Sequence, residues 1–338
     1  MSPVPLYPLR FDPFFQYRPW GGRRLTDLLS LALPGEDLVG EAWILSDRDE
    51  HSSVVANGPL KGITLGQLVN DWPNRMLGNC HGVINRFPLL LKFLDVRTAL
   101  SVQVHPSDRQ TKYLPDGESG KTEAWIVLGA GQESLIYAGL TPQTTPDLLR
   151  EALAEGAVTH HLASFVPSSG DAVFIPAGTV HSLRDLVIFE VQQNSNVTFR
   201  LYDWNQIDPK TLQHRALQVA QAMACIDFTR GAITPVVPLV EQLEPVLRER
   251  LFDCEHFRLW RLCAKSPFTV GSAAAPHVLV CVAGEGNVTQ NGADVPFSTG
   301  DVLLLPAEVG ACLCRPSANL ELLEISLPRR SPPPISSP

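Results

Sequence analysis

From Leu100 to His105 apolar and polar residues alternate (Leu-Ser-Val-Gln-Val-His). A period of two predicts a strand with Ser101, Gln103 and His105 on one face and Leu100, Val102 and Val104 on the other. Pro106 has no amide hydrogen and is expected to end it. A second strand is expected from Gly120-Lys121-Thr122-Glu123-Ala124-Trp125, where Lys121, Glu123 and Trp125 share a face and Ile126-Val127-Leu128 continue as a buried run. Gly40–Ser46 reads as a short strand, and Phe87–Leu94 as a buried one interrupted by Lys92. A lysine there either stretches past its stem to water or serves a site. Leu65, Leu68, Val69 and Trp72 have helical spacing within Thr64–Leu77. Thr145-Pro146-Asp147 opens another helix, with a capping hydroxyl, a proline at the first helical position and an acid at the positive end. Gly156 is expected to end it. Pro209–Phe228 reads as helical, with Leu212, Ala216, Val219 and Met223 on one face.

The stretch Gly170–His181 carries Gly-Asp, four apolar residues, then Pro-Ala-Gly, a turn that presents His181. Ile188–Gln193 reads as a strand with Glu190 and Gln192 on one face, followed by the polar turn Asn194–Asn196 and a strand bearing Arg200. Gly300–Ala307 repeats the spacing of Gly170–Ala177. The step from Pro176 to His181, taken from Pro306, reaches Ala311. His277 stands where Glu123 stands relative to its turn, with no Gln-x-His pair upstream, and is expected to lack a partner. The second half is therefore expected to repeat the scaffold without the site. The expected organisation is a domain at 1–233 carrying the site and accessory helices, a linker at 234–245, a degenerate domain at 246–328 and a disordered tail at 329–338.

The 338 residues are 44% hydrophobic and 18% charged, an ordinary globular balance. The net charge of −8, without a basic run, points to neither nucleic acid nor an anionic membrane. The 29 prolines fit short strands and tight turns. The seven cysteines form no C-x-x-C pair and read as reduced thiols of a cytoplasmic protein. The first residues show no basic segment followed by an apolar one, so no secretory signal is expected. No run of about 18 apolar residues predicts a membrane span.

Placed side by side, the two central strands would aim Gln103, His105, Glu123 and Lys121 into one cavity. Burying such groups unpaired costs roughly 2–7 kcal/mol each, so four together in apolar strands imply a purpose. Imidazole, carboxylate and amide oxygen form a mixed N/O set suited to zinc, manganese or iron(II).

Two Gly-Asp–strand–Pro-Ala units resemble the cupin fold. More narrowly, Trp20–Gly22, Leu100–Asp108 (LSVQVHPSD), Gly120–Trp125 (GKTEAW), Pro176–Ser182 (PAGTVHS) and Glu190–Trp204 (EVQQNSNVTFRLYDW) resemble type I mannose-6-phosphate isomerases of the short bacterial form. The resemblance implies a mainly β fold of two cupin jelly-roll barrels with a few accessory helices. It implies interconversion of mannose 6-phosphate and fructose 6-phosphate through an enediol, with one zinc per chain. It makes His105, Glu123 and His181 zinc ligands, with Gln103 matching a fourth. Arg200 matches a catalytic arginine, and Ser101 and Lys121 match residues of the sugar-phosphate pocket. Lys121 and Glu190 are the candidate acid/base groups. Asn196 stands where the family usually has Asp, and Ala124 and Ile126 depart from the usual Glu-Cys-Trp-Tyr, so the pocket is expected to differ in volume. Two other readings are an isomerase of another sugar or a metal-dependent cupin oxygenase, which usually has a further His at Gln103, and a non-catalytic sugar-binding cupin, which would be expected to lose ligands.

Overall fold

The computed structural model describes residues 5–29, 33–80, 86–273 and 275–327, so the tail expected at 329–338 lies outside the described residues. The chain forms two compact units: one of 13–46 and 89–236, the other of 1–12, 47–88 and 237–338. Both are mainly β. No described helix is long and apolar enough to cross a membrane.

The unit that carries the site holds strands β1 (Phe14–Gly22), β2 (Val39–Leu45), β3 (Leu89–Val96), β4 (Val102–Val104), β5 (Glu123–Leu140), β6 (Leu162–Phe165), β7 (Ala172–Ile175), β8 (His181–Gln193) and β9 (Phe199–Tyr202). They make one nine-stranded sheet. Its spine is β8. On one edge β8 pairs with β3 from Leu186 to Gln193 and with β4 at His181; on the other it pairs with β5. The 18-residue β5 carries both β6 and β7 on its far edge.

The alternation at Leu100–His105 has its expected consequence. Val102 and Val104 are fully buried in a cluster with Leu149, Phe199, Leu201 and Ala222, while Gln103 faces the opposite way, into a cavity. The strand itself spans only Val102–Val104, so Ser101 and His105 flank it. A second cluster, including Trp20, Trp125, Val173, Leu183 and Ile188, packs another part of the sheet. Helix Pro146–Glu155 begins as read: Thr145 accepts from the Leu148 amide, and Gly156 ends it at φ 72°, where a side chain would be strained.

The second unit holds β10 (Leu239–Gln242), β11 (Val246–Asp253), β12 (Arg258–Ala264), β13 (Phe268–Val270), β14 (His277–Ala283), β15 (Glu285–Gln290), β16 (Ala293–Ser298), β17 (Val302–Leu305), β18 (Cys312–Pro316) and β19 (Leu320–Ser326). These form a six-stranded and a four-stranded sheet. Helix Leu65–Asp71 in this unit starts on a reciprocal Thr64–Gln67 cap.

Neither unit closes a barrel, which corrects the expectation of two cupin jelly-roll barrels. The hydrogen-bonded path of the large sheet runs β1-β2-β3-β8-β4-β9 and branches through β5, and its end strands do not meet. The second unit divides into two separate sheets instead. The sequence repeat specifies turns and strand faces, whereas closure requires edge strands far apart in the chain to pair.

The repeat itself is real at atomic level. Gly170 and Gly300 have φ of 90° and 91°. Asp171 and Asp301 each accept from the amide three residues earlier, Ser168 at 2.8 Å and Ser298 at 2.7 Å. Glu123 pairs with Ile175, and His277 pairs with Leu305, so the two occupy equivalent registers. His277 is not unpartnered, however. Its Nδ1 lies 2.9 Å from Glu324 Oε1 and its Nε2 lies 2.8 Å from Ser272 Oγ. Glu324 is buried and also receives Arg248 at 2.8 Å and the Gly271 amide at 2.7 Å. His277→Ala is expected to leave turnover unchanged and cost about 1–3 kcal/mol of stability, the usual effect of stranding a buried polar group. Steady-state kinetics and a denaturation curve on the same preparation check both halves.

Two further readings change. Only Val219–Cys225 of the segment 209–228 is helical. Leu212 is 77% exposed with φ 56°. Its amide closes a single turn on Asp208, and Ile207 then bridges to His214, so the polar turn at Asp208 takes the backbone bonds a helix would have used. Within the expected linker, Leu239–Gln242 pairs with β11. All seven cysteines are free, four of them buried.

Candidate active site and metal centre

Three chain segments bring the site together. His105 follows β4, Glu123 begins β5 and His181 begins β8, so each ligand sits at a strand end where the backbone pairing fixes its direction. His105 Nε2 lies 3.4 Å from Glu123 Oε2, and His181 Nε2 lies 3.3 Å from Glu123 Oε1. All three residues are buried, and their ligand atoms lie within 4.8 Å of one another. The Nδ1 atoms face backbone carbonyls, His105 to Val197 at 2.8 Å and His181 to Thr179 at 2.9 Å. A carbonyl only accepts, so both rings carry the proton on Nδ1 and turn the Nε2 lone pair toward Glu123. That is the tautomer and support of histidines that bind metal.

Burial, then the neighbouring Lys121 charge, hold the His105 pKa down at about 3. Burial lowers His181 as well. Both rings are neutral near pH 7, as ligands must be. In the metal-free protein a histidine held below its usual 6.5 is protonated in the unfolded chain first. Stability is therefore full above pH 6.5 and is lost as the pH falls toward 3. Thermal unfolding of metal-free protein should show a falling midpoint across that window, less steep in His105→Gln; equal slopes in the two proteins would contradict the assignment.

Gln103 pairs with His181 across the β4–β8 edge, with its Nε2 3.1 Å from His181 Nε2. Its Oε1 accepts from Ser101 Oγ at 3.2 Å. As placed, the amide nitrogen faces the triad, and the oxygen reaches a metal only after a half-turn of the amide. Ser101 is buried, and its hydroxyl meets the site only at Gln103 among the described residues.

A cavity of about 460 Å³ opens beside the triad, lined in part by Gln103, Lys121, Glu123, Trp125, Glu190 and Arg200. Along it runs a ladder of alternating charge. Arg18 Nε lies 2.9 Å from Glu41, Lys92 Nζ lies 3.6 Å from Glu41 and 3.8 Å from Glu190, and Lys121 Nζ lies 3.6 Å from Glu190 and 2.8 Å from Glu123. Burial lowers the Lys121 pKa, but Glu123 and Glu190 outweigh it and hold the ammonium above its usual value. Burial raises Glu190, partly countered by Lys121. Its Oε1 is buried without a hydrogen-bond partner among the described residues.

Arg200, on β9, is half-buried against the same cavity. Among the described residues its buried Nε has no hydrogen-bond partner, and no carboxylate lies within ion-pair distance of it. Neighbouring Arg215 is held in a forked pair by Asp203. Burial and the charge of Arg215 lower the Arg200 pKa. Asn196 lines the cavity too and is exposed, its amide 3.4 Å from Glu118.

Sequence reasoning left Lys92 open and did not single out Glu41 or Arg18. The signal was present: Glu41 and Lys92 are charged residues, like Asp95, that stand inside strands whose every residue is buried. Lys92 is 3% exposed, so it serves the cavity rather than reaching water.

Comparison with known proteins agrees with this geometry. A model described as the phosphomannose isomerase type I catalytic domain matches residues 9–122. The chain is 33% identical to mannose-6-phosphate isomerase ManA of Bacillus subtilis (strain 168), over 90% of this chain and 94% of that one. It is 33% identical to the mannose-6-phosphate isomerase of Streptococcus mutans, over 85% of this chain and 88% of that one. The crystal structure of the mannose 6-phosphate isomerase from Bacillus subtilis superposes with a TM-score of 0.86 at 26% identity, covering 95% of this chain and 99% of that one. With the buried metal-binding triad and the length of these matches taken together, the chain belongs to the type I mannose-6-phosphate isomerase family.

Proposed function

We propose that this chain interconverts mannose 6-phosphate and fructose 6-phosphate with one zinc per chain. The observation that carries the reading is the buried His105–Glu123–His181 triad opening onto a cavity that also holds Glu190 and an Arg200 whose buried Nε has no hydrogen-bond partner among the described residues. The donor set fits zinc: two neutral imidazoles and a carboxylate, as in catalytic sites that keep a position open. Those three residues would hold the ion, with Gln103 as a fourth ligand after its amide turns. Bound there, zinc would supply Lewis acidity toward the sugar's carbonyl oxygen.

Isomerisation moves the C2 proton of the aldose to C1 through an enediol, while the O2 proton is lost and O1 gains one. The geometry favours Glu190 over Lys121 as the carrier between carbons. Lys121 is held charged by two carboxylates and has no lone pair for a proton at neutral pH. Glu190 is buried, holds its proton more tightly than an ordinary carboxylate and keeps an oxygen free of hydrogen bonds. A base tuned toward the working pH serves such transfers. Lys121 then stabilises negative charge as it develops on oxygen. The ladder from Arg18 to Glu123 pairs three cations with three carboxylates, so Arg200 is the charge left over for an anionic sugar phosphate. Ser101 holds Gln103.

Turnover in D₂O tests the proton step. Fructose 6-phosphate formed from mannose 6-phosphate should carry deuterium at C1, and Glu190→Gln should abolish both product and label. Product without label in long incubations, or an active Glu190→Gln, would contradict this role.

A further inference from the structure

Glu41 touches neither the metal triad nor Glu190, yet its strand buries it among six other buried residues. Its carboxylate gathers three groups. Arg18 makes two contacts, at 2.9 and 3.2 Å; Trp43 Nε1 donates at 2.7 Å; Lys92 Nζ stands 3.6 Å away. The Trp43 ring also faces Lys92 Nζ, 5.2 Å from its centroid. A salt bridge that only stabilised the strand would be satisfied by Arg18 and Trp43 alone. Lys92 is different, because it is buried and reaches no hydrogen-bond partner among the described residues: Glu41 at 3.6 Å and Glu190 at 3.8 Å share its charge from opposite sides. The register enforces this, since Lys92 sits directly opposite Glu190 on β8 and opposite Trp43 on β2.

We propose that Glu41 is a positioning residue for the isomerisation: it keeps Lys92 charged inside the cavity and suspended short of Glu190, leaving Glu190 free to accept the sugar's proton. The inference rests on the isomerase reading in which Glu190 carries that proton. The groups facing Lys92 are Glu41 and Trp43 on β2, Glu190 on β8, Arg18 on β1 and Lys121 ahead of β5. Burial pulls the Lys92 pKa down, and Glu41 is the larger of the two carboxylate influences that oppose it. Arg18 acts the other way, both by its own charge and by drawing on Glu41. The two partners therefore have opposite expected effects on one lysine, and a positioning role, unlike a merely structural ion pair, carries those effects into the pH profile of turnover.

The experiment follows Lys92 directly. Protein labelled with ¹³C at lysine Cε is titrated by NMR, and the Lys92 signal is assigned by its loss in Lys92→Arg. Glu41→Gln is expected to move the Lys92 titration to lower pH by about one to three units, the range set by one opposite charge at this separation. Arg18→Gln, at a partly exposed side chain, is expected to move it to higher pH. The alkaline limb of kcat/KM for mannose 6-phosphate should follow in the same directions, with Glu41→Asp lying between wild type and Glu41→Gln. If Glu41→Gln does not fold, the Arg18→Gln shift still decides the sign. A Lys92 titration unmoved in the soluble variants would overturn the inference, and so would a moved titration with an unmoved kcat/KM limb. Inactivity of the wild-type protein, with the titration shifts intact, would instead count against the isomerase reading and leave Glu41 with no reaction to serve.

Discussion

His105→Ala is expected to empty the metal site and remove turnover. The ring supplies an Nε2 whose lone pair is aimed by the Val197 carbonyl, and alanine removes donor and support together. Loss of a supporting partner alone typically costs about 10–100-fold in metal affinity, so loss of a ligand should exceed that. A bound metal contributes several kcal/mol to a transition state that builds charge on oxygen. At 1.36 kcal/mol per factor of ten, the expected fall in kcat is on the order of 10³-fold or more. Metal analysis and initial rates on one preparation check it. His277→Ala is the control, because His277 holds the equivalent register in the second unit and faces Glu324 instead of a ligand set. Full metal content in His105→Ala would move the site elsewhere.

Arg200→Lys carries the second large effect. Lysine keeps the charge but loses the planar fork and the Nε that lies buried without a partner. If Arg200 meets charge that develops only in the transition state, kcat and kcat/KM should fall together, by roughly 10²–10³-fold on the scale of a single oxyanion donor. If it grips the phosphate throughout, KM should rise while kcat stays. Unchanged constants in Arg200→Ala with metal still bound would remove Arg200 from the mechanism.

The three residues of the candidate metal site were legible because their signal is local. Polar residues at alternate positions of an otherwise apolar strand have few reasons to be there, and the Gly-Asp turns at 170–171 and 300–301 are set by a positive φ and an aspartate that accepts from the amide three residues earlier. The capped helix at Pro146–Glu155 was legible for the same reason. What sequence could not show was which distant strands would lie side by side. Glu41, Lys92 and Glu190 become neighbours only through the β2–β3–β8 register. His277 gains Glu324 the same way, across β14 and β19. Barrel closure failed as an expectation because it depends on edges, and repeats of turn and strand say nothing about edges. The helix expected from Pro209 failed because tertiary ties at Asp203, Asp208 and Tyr17 fix that loop, overriding a pattern of spaced apolar residues.

The most direct test strips the full-length protein with a chelator and follows conversion of mannose 6-phosphate to fructose 6-phosphate as zinc is returned. The expected result is loss of activity on stripping and recovery in proportion to added zinc, saturating at one equivalent per chain. Activity that persists in verified metal-free protein, or protein reloaded with one zinc that does not convert mannose 6-phosphate, would contradict the account.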